Sequence, residues 1–241
     1  MTPTLFAELD ACLAARFPES DLAQAAAPFI HDVHLRFDLG GQLPNGSDER
    51  LAQVASRAAT IIAGCFAPAD RLLLLVNDWP GPDAMFGDTT PGHLYQLLGR
   101  HAVLGTDHRR VTMPREPGDD EPYSFEQVLV AAPFANLAWR EILAGIANYE
   151  QGREPGIGQG VYFIAPENGI VFHMYDDRGF LVFADDPARI AHLYRAHNDW
   201  IVDHWREAID AVFATRRVHR YRKLSADRAL AARRPSRCAV G

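Results

Sequence analysis

The chain has 241 residues, a formal net charge of −7, and 48% hydrophobic and 23% charged residues, ordinary values for a globular protein. A chain of this length buries roughly 70–75% of its unfolded surface and needs no disulfide or metal staple; its longest aliphatic run, Leu72–Val76, is far shorter than the ~20 residues that cross a bilayer. Nine of the 24 basic residues and one of the 31 acidic ones follow Thr215, which puts +8 on the tail and −15 on the 215 residues before it.

An acidic body repels nucleic acid and attracts cationic surfaces. A nucleic-acid contact is therefore expected only through residues 216–241, read as a basic, disordered tail after a single domain spanning 1–215. The N-terminus carries Glu8 and Asp10 and no basic n-region, which argues against a secretory signal and for an amphipathic helix over 3–16. Cys12, Cys65 and Cys238 are odd in number and widely spaced, with no C-x-x-C. Neither a disulfide framework nor a zinc site is expected, and the compartment reads as cytoplasmic.

In His31–Leu39 the residues Val33, Leu35, Phe37 and Leu39 alternate with polar neighbours, the period of a half-buried strand ended by Gly40-Gly41. Asn45-Gly46 marks a turn, Ser47 or Asp48 can N-cap, and a helix follows to about Phe66. Leu72–Val76 reads as a buried strand leaving into a loop at Asn77-Asp78-Trp79-Pro80-Gly81-Pro82. Asp78 and Trp79 there offer a carboxylate and an aromatic anchor, or a lid over a satellite core. His93–Arg100 reads as a short helix, 113–124 as an acidic loop, Phe125–Ala131 as a strand and Phe134–Gln151 as a helix. Three strands joined by two turns come next: Val161–Ile164, Ile170–Tyr175 and Phe180–Ala184. Asn168-Gly169 supplies the positive φ that tight hairpins need. Asp186 and Pro187 begin a helix whose apolar stripe runs with a 3.6 period from Ile190 to Val212. The order of elements predicts an α+β fold, a mixed, mostly antiparallel sheet with a C-terminal three-stranded meander packed by helices.

The densest polar string is FHMYDDRG, residues 172–179. Alternation puts Phe172 and Met174 on one strand face and His173 and Tyr175 on the other. Asp176 can bond the amides ahead of it, and Gly179 can take a left-handed position that closes a hairpin. The turn leaves His173, Asp177 and Arg178 unexplained. Two adjacent carboxylates can share a proton, and an arginine can clamp an acid. The other negative patch is Glu116–Glu121, with Asp119, Asp120 and Glu121. His31 and His34 diverge on a strand, so no metal is expected there, and His197 and His204 lie two turns apart on the predicted last helix. Gly156, Gly158 and Gly160 stand between a helix and a strand, the reverse of a dinucleotide fingerprint. No cofactor motif is present, and Lys223 is the one lysine.

VYFIAPENGIVFHMYDDRGF and LYRAHNDWIVDHWREAIDAVF, with a weaker echo in HLRFDLGG and RAATIIAGCFAPADRLLLL, resemble the bacterial family catalogued as domain of unknown function 3885, over roughly residues 30–213. That resemblance brings no activity and no catalytic residue. The strand–turn–strand–turn–strand unit before a closing helix is also similar in pattern to the SUKH superfamily of immunity proteins and adaptors. That likeness implies an acidic face meeting a basic toxin domain.

The expectation is a non-enzymatic, cytoplasmic binding protein of the immunity or adaptor type. It would occlude a basic protein partner through Tyr175, Asp176, Asp177, Arg178, Asp119, Asp120 and Glu121. The alternative is a small-molecule hydrolase using His173, Asp176, Asp177 and Arg178.

Overall fold

The computed structural model describes residues 4–18, 32–79, 92–100, 103–112 and 124–214. Seven strands form one antiparallel sheet in the order β1-β7-β6-β5-β2-β4-β3. These are β1 (His34–Asp38), β2 (Arg71–Asp78), β3 (Gly105–Thr112), β4 (Ser124–Pro133), β5 (Gly160–Ala165), β6 (Ile170–Met174) and β7 (Gly179–Ala184). The fold is α+β, as the order of elements predicts, and every ladder between these strands is antiparallel. Gly169 holds the β5–β6 turn at φ +60° and donates its N–H to Ala165 O at 2.9 Å.

One face of the sheet, called the first face, carries Leu72, Leu74, Val76, Phe163, Phe172 and Phe180. It packs against α2 (Asp48–Cys65), α3 (His93–Gly99), α4 (Trp139–Tyr149), α5 (Ala191–Ala196) and α6 (Asp203–Phe213). Ser47 caps α2 by accepting from Arg50 N–H at 3.1 Å. The second face carries Leu73, Leu75, Leu129, Tyr162, Val171 and Phe183 and packs against Phe6 and Leu9 of α1 (Leu5–Arg16). Two covered faces explain why Leu72–Val76 is a continuous apolar run rather than an alternation. Ion pairs of Glu8 with Arg71, of Asp10 with Arg109 and of Arg16 with Asp185 hold α1 across the second face, from β3 to the residue after β7.

Strand β3 escapes the sequence reading. Its GTDHRRVT has no apolar alternation because it is the edge of the described sheet, paired among the described residues only with β4 and exposed at every second residue. The continuous helix predicted from Pro187 is also corrected. The chain makes a 3-10 turn at Pro187–Arg189, then α5, a second 3-10 turn at Asn198–Trp200, and α6. Between them Ile201 bridges Phe37, and Val202 N–H donates to Arg36 O at 3.1 Å. Edge strand β1 needs backbone partners, and this β-branched pair supplies them. The 3.6 period survives the break because Ile190, Leu193, Ile201 and Ile209 still reach one core. His197 and His204 consequently do not share a helix. The helix predicted over 134–151 likewise splits into a 3-10 turn at Phe134–Asn136 and α4.

The glycine-rich stretch 152–160 is a packed connection. Ile157 N–H donates to Gly145 O on α4 at 2.9 Å, and a Cβ on Gly145 would lie 2.6 Å from the Ile157 side chain. On an open helix Gly→Ala stabilises by about 1 kcal/mol. Here Gly145→Ala is expected to lower stability, read as a lower midpoint in urea unfolding, because the added methyl meets Ile157.

Candidate functional site

Each residue of 172–179 has an internal task. Phe172 and Met174 are core. Asp176 Oδ1 accepts the backbone N–H groups of Arg178 (2.7 Å) and Gly179 (3.2 Å), and its Oδ2 accepts Arg178 Nε at 2.6 Å. Arg178 extends to Glu150, just past α4, at 3.3 Å. Asp177 Oδ2 accepts Arg50 Nε of α2 at 2.5 Å, and Arg50 Nη1 donates to Leu43 O at 3.0 Å. Gly40 makes room for this, since a Cβ there would overlap the Arg50 guanidinium. Burial raises the Glu150 carboxyl above its ordinary range, helped by Asp176 and opposed by Arg178.

Asp176 and Asp177 are each 1% exposed and Arg50 is 5% exposed. This corrects the expectation of an outward acidic face at the turn: both carboxylates are buried and answered by arginines of the same chain. Arg178 is likewise engaged by Asp176 and Glu150. Gly179 is corrected too. Its φ is not positive; it is glycine because a Cβ would sit 2.8 Å from Phe37 O and overlap the Tyr175 hydroxyl. Asp119, Asp120 and Glu121 lie outside the described residues, as does the tail 216–241.

His173 lies on the second face, away from Arg50 and Asp177. It is 8% exposed, stacks on Tyr162 at 3.9 Å, and its Nδ1 bonds Val161 O at 2.9 Å. A carbonyl only accepts, so Nδ1 carries the proton. Burial pulls the imidazole pKa down to about 4, against that hydrogen bond, and pushes the Tyr162 phenol up to about 12. The hydrolase arrangement would need His173 within hydrogen-bond reach of the acids, and none of its contacts is with residues 176–178. Asp78 accepts from Tyr95 Oη at 2.5 Å, and Trp79 packs on Phe125 at 4.2 Å.

Two second-face features escape the sequence reading. One is a polar line under α1: Arg109 Nε donates to Gln127 Oε1 (2.6 Å), and Gln127 Nε2 to Asn77 Oδ1 (2.8 Å). It ends at Asn77 Nδ2, buried without a partner among the described residues. The other is Arg36. Its Nε donates to Tyr175 Oη at 3.1 Å, and its guanidinium carbon lies 5.4 Å from the Tyr175 ring centroid and 5.7 Å from that of Trp205. His34 meets Trp205 edge-on at 5.3 Å. Buried Trp205 Nε1 has no hydrogen-bond partner among the described residues. A signal for Arg36 was present: if Leu35 and Phe37 face the core, Arg36 faces the other side of a sheet that is covered on both.

The architecture defines an α+β protein with one seven-stranded antiparallel sheet, helices massed on one face, and a polar turn clamped from within. The chain belongs to the family described as domain of unknown function (DUF3885), whose model matches residues 11–205. It is also similar to "Uncharacterized protein YnaE" of Bacillus subtilis (strain 168), 30% identical over 97 residues, which cover 38% of this chain and 46% of that protein. The chain thus spans about half the length of that curated relative. No solved structure matches, and nothing in these comparisons carries the likeness to SUKH proteins.

A histidine held near pKa 4 when folded and near 6.5 when unfolded binds its proton more readily in the unfolded chain. Its contribution to stability is therefore lost as pH falls below about 6.5, by up to ~3 kcal/mol by pH 4. Urea unfolding of wild type and His173→Phe at about pH 7 and about pH 5 checks this. The wild type should lose more stability than the variant across that interval.

Proposed function

We propose that this is a non-enzymatic binding protein of the adaptor or immunity type, which meets its partner on the second face of its sheet at the β1–β7–β6 end. The observation that carries the reading is the isolation of Arg36. Ten of the fourteen described arginines lie within 4.0 Å of a carboxylate. Arg100, Arg140 and Arg195 do not, and they are exposed to water. Arg36 is the half-buried one left without a described counter-charge. A guanidinium never gives up its proton in a protein, so burial without an anion is costly.

Two further points support binding over catalysis. Of the side chains of 172–179 that resemble catalytic equipment, His173, Asp176 and Asp177 are buried with internal partners, and Arg178, though exposed, is paired with Asp176 and Glu150. Asp176 and Asp177 are internal, so the contact moves from the acid turn to the Arg36 corner, where arginine and aromatic residues together are the usual energetic anchors of interfaces.

A photo-cross-linking amino acid placed at exposed His204, beside Trp205, and separately at exposed Arg140 on α4 tests this in the native host. One protein species trapped from position 204 and not from 140 is the expected result. Trapping only from 140, equally from both, or from neither contradicts the proposal.

A further inference from the structure

We infer that the corner formed by Arg36, Tyr175 and Trp205 is a carboxylate site. The inference rests on the binding role above and names the chemistry of what is bound. Two independent unmet demands meet at this corner. Arg36 spends Nε on the Tyr175 hydroxyl, and its remaining N–H donors have no carboxylate among the described residues. Trp205 contributes an indole N–H that is buried and has no hydrogen-bond partner among the described residues. A buried donor left without an acceptor is costly, and a buried charge left without a counter-charge costs more.

A carboxylate answers both. It is planar, it neutralises the guanidinium through charge-assisted hydrogen bonds, and its oxygens can accept from an arginine and from a neighbouring N–H together. The rings of Tyr175 and Trp205 lie on the guanidinium within cation–π range. They hold the fork in place and fix its orientation before any ligand arrives. Gly179 is part of the same design, because its missing Cβ is where the Tyr175 hydroxyl sits to receive Arg36. A cationic ligand does not fit a corner that already holds a cation with no counter-charge among the described residues. The acid group can belong to a small free acid or to a side chain of a protein partner.

The indole N–H signal of Trp205 in the full chain, identified by its loss in Trp205→Phe, reports binding directly. The probes are succinate and the capped peptide acetyl-Gly-Gly-Asp-Gly-Gly-amide, with the Asn peptide as control. At least one carboxylate probe should move the signal while the Asn peptide does not. Movement by succinate points to a small acid; movement by the peptide at ~10-fold lower concentration points to a protein side chain. Arg36→Gln should weaken the effect at least ~10-fold, and Arg36→Lys should restore part of it, since a point charge lacks the fork. Each variant's remaining amide spectrum shows whether it is folded. The assignment is overturned if neither probe moves the signal up to ~50 mM, past the weak end of specific binding, or if the shift persists in folded Arg36→Gln. A silent titration with a cross-link at position 204 removes the carboxylate chemistry and leaves the binding role. A moving signal with no cross-link removes the protein partner and leaves a small-acid site.

Discussion

The buried ion pair between Arg50 and Asp177 is the constraint on which this end of the molecule depends. It joins the first turn of α2 to the turn between β6 and β7, elements 127 residues apart in sequence. Removing both charges from water costs several kcal/mol per ion, and only good geometry with further hydrogen bonds offsets that. The fold supplies both: Gly40 leaves space for the guanidinium, and Leu43 O accepts a second donor from it. With Asp177 fixed, Asp176 can close the turn on the amides of Arg178 and Gly179, and Arg178 can reach Glu150 beyond α4. Gly179 then sits against Phe37 O, where its bare Cα admits the Tyr175 hydroxyl, and that hydroxyl orients Arg36. A clamp on the first face thus positions a cation on the second.

Charge pairing explains why a strongly acidic body does not present an acidic face at this turn. Glu8, Asp10, Asp48, Asp176, Asp177 and Asp185 each meet an arginine of the same chain. Several of these pairs dock α1 or tie turns together, so the acids act within the fold. The exposed pairs contribute little individually, but they leave Arg36 conspicuous as a half-buried cation with no described acid. Tyr175 from the second face and Trp205 from α6 flank the cation at the β1 edge of the sheet.

Much of the fold was legible because local chemistry and tertiary packing agreed. Ser47 caps α2, Asn168-Gly169 turns the chain, and Asp186 with Pro187 begins the 3-10 turn that leads into α5, each readable from residue type. Strand β3 was not legible, since an edge strand with alternate residues in water needs no apolar period. The break at Ile201 was not legible either. The apolar stripe satisfies the core whether or not the helix is continuous, and only the unpaired edge of β1 decides it. The site failed for a sharper reason. FHMYDDRG has the composition of a reactive cluster, but composition cannot tell an outward carboxylate from one whose partner, Arg50, lies 127 residues away. Arg36 was overlooked although the alternation of Leu35 and Phe37 puts it on the opposite strand face, because its significance comes from the absence of a described counter-ion in the folded chain.

The central claim is that the acidic turn serves the fold as one half of a buried clamp. A double-mutant cycle in urea unfolding, with Arg50→Met, Asp177→Leu and the two together, tests it most directly. Either single change strands a buried charge and should cost about 3 kcal/mol or more, while the double variant should cost little more than one single, giving a coupling above ~1 kcal/mol. Single losses that are small and simply add would show that the two side chains act independently, and the account of residues 172–179 as a structural clamp would be wrong.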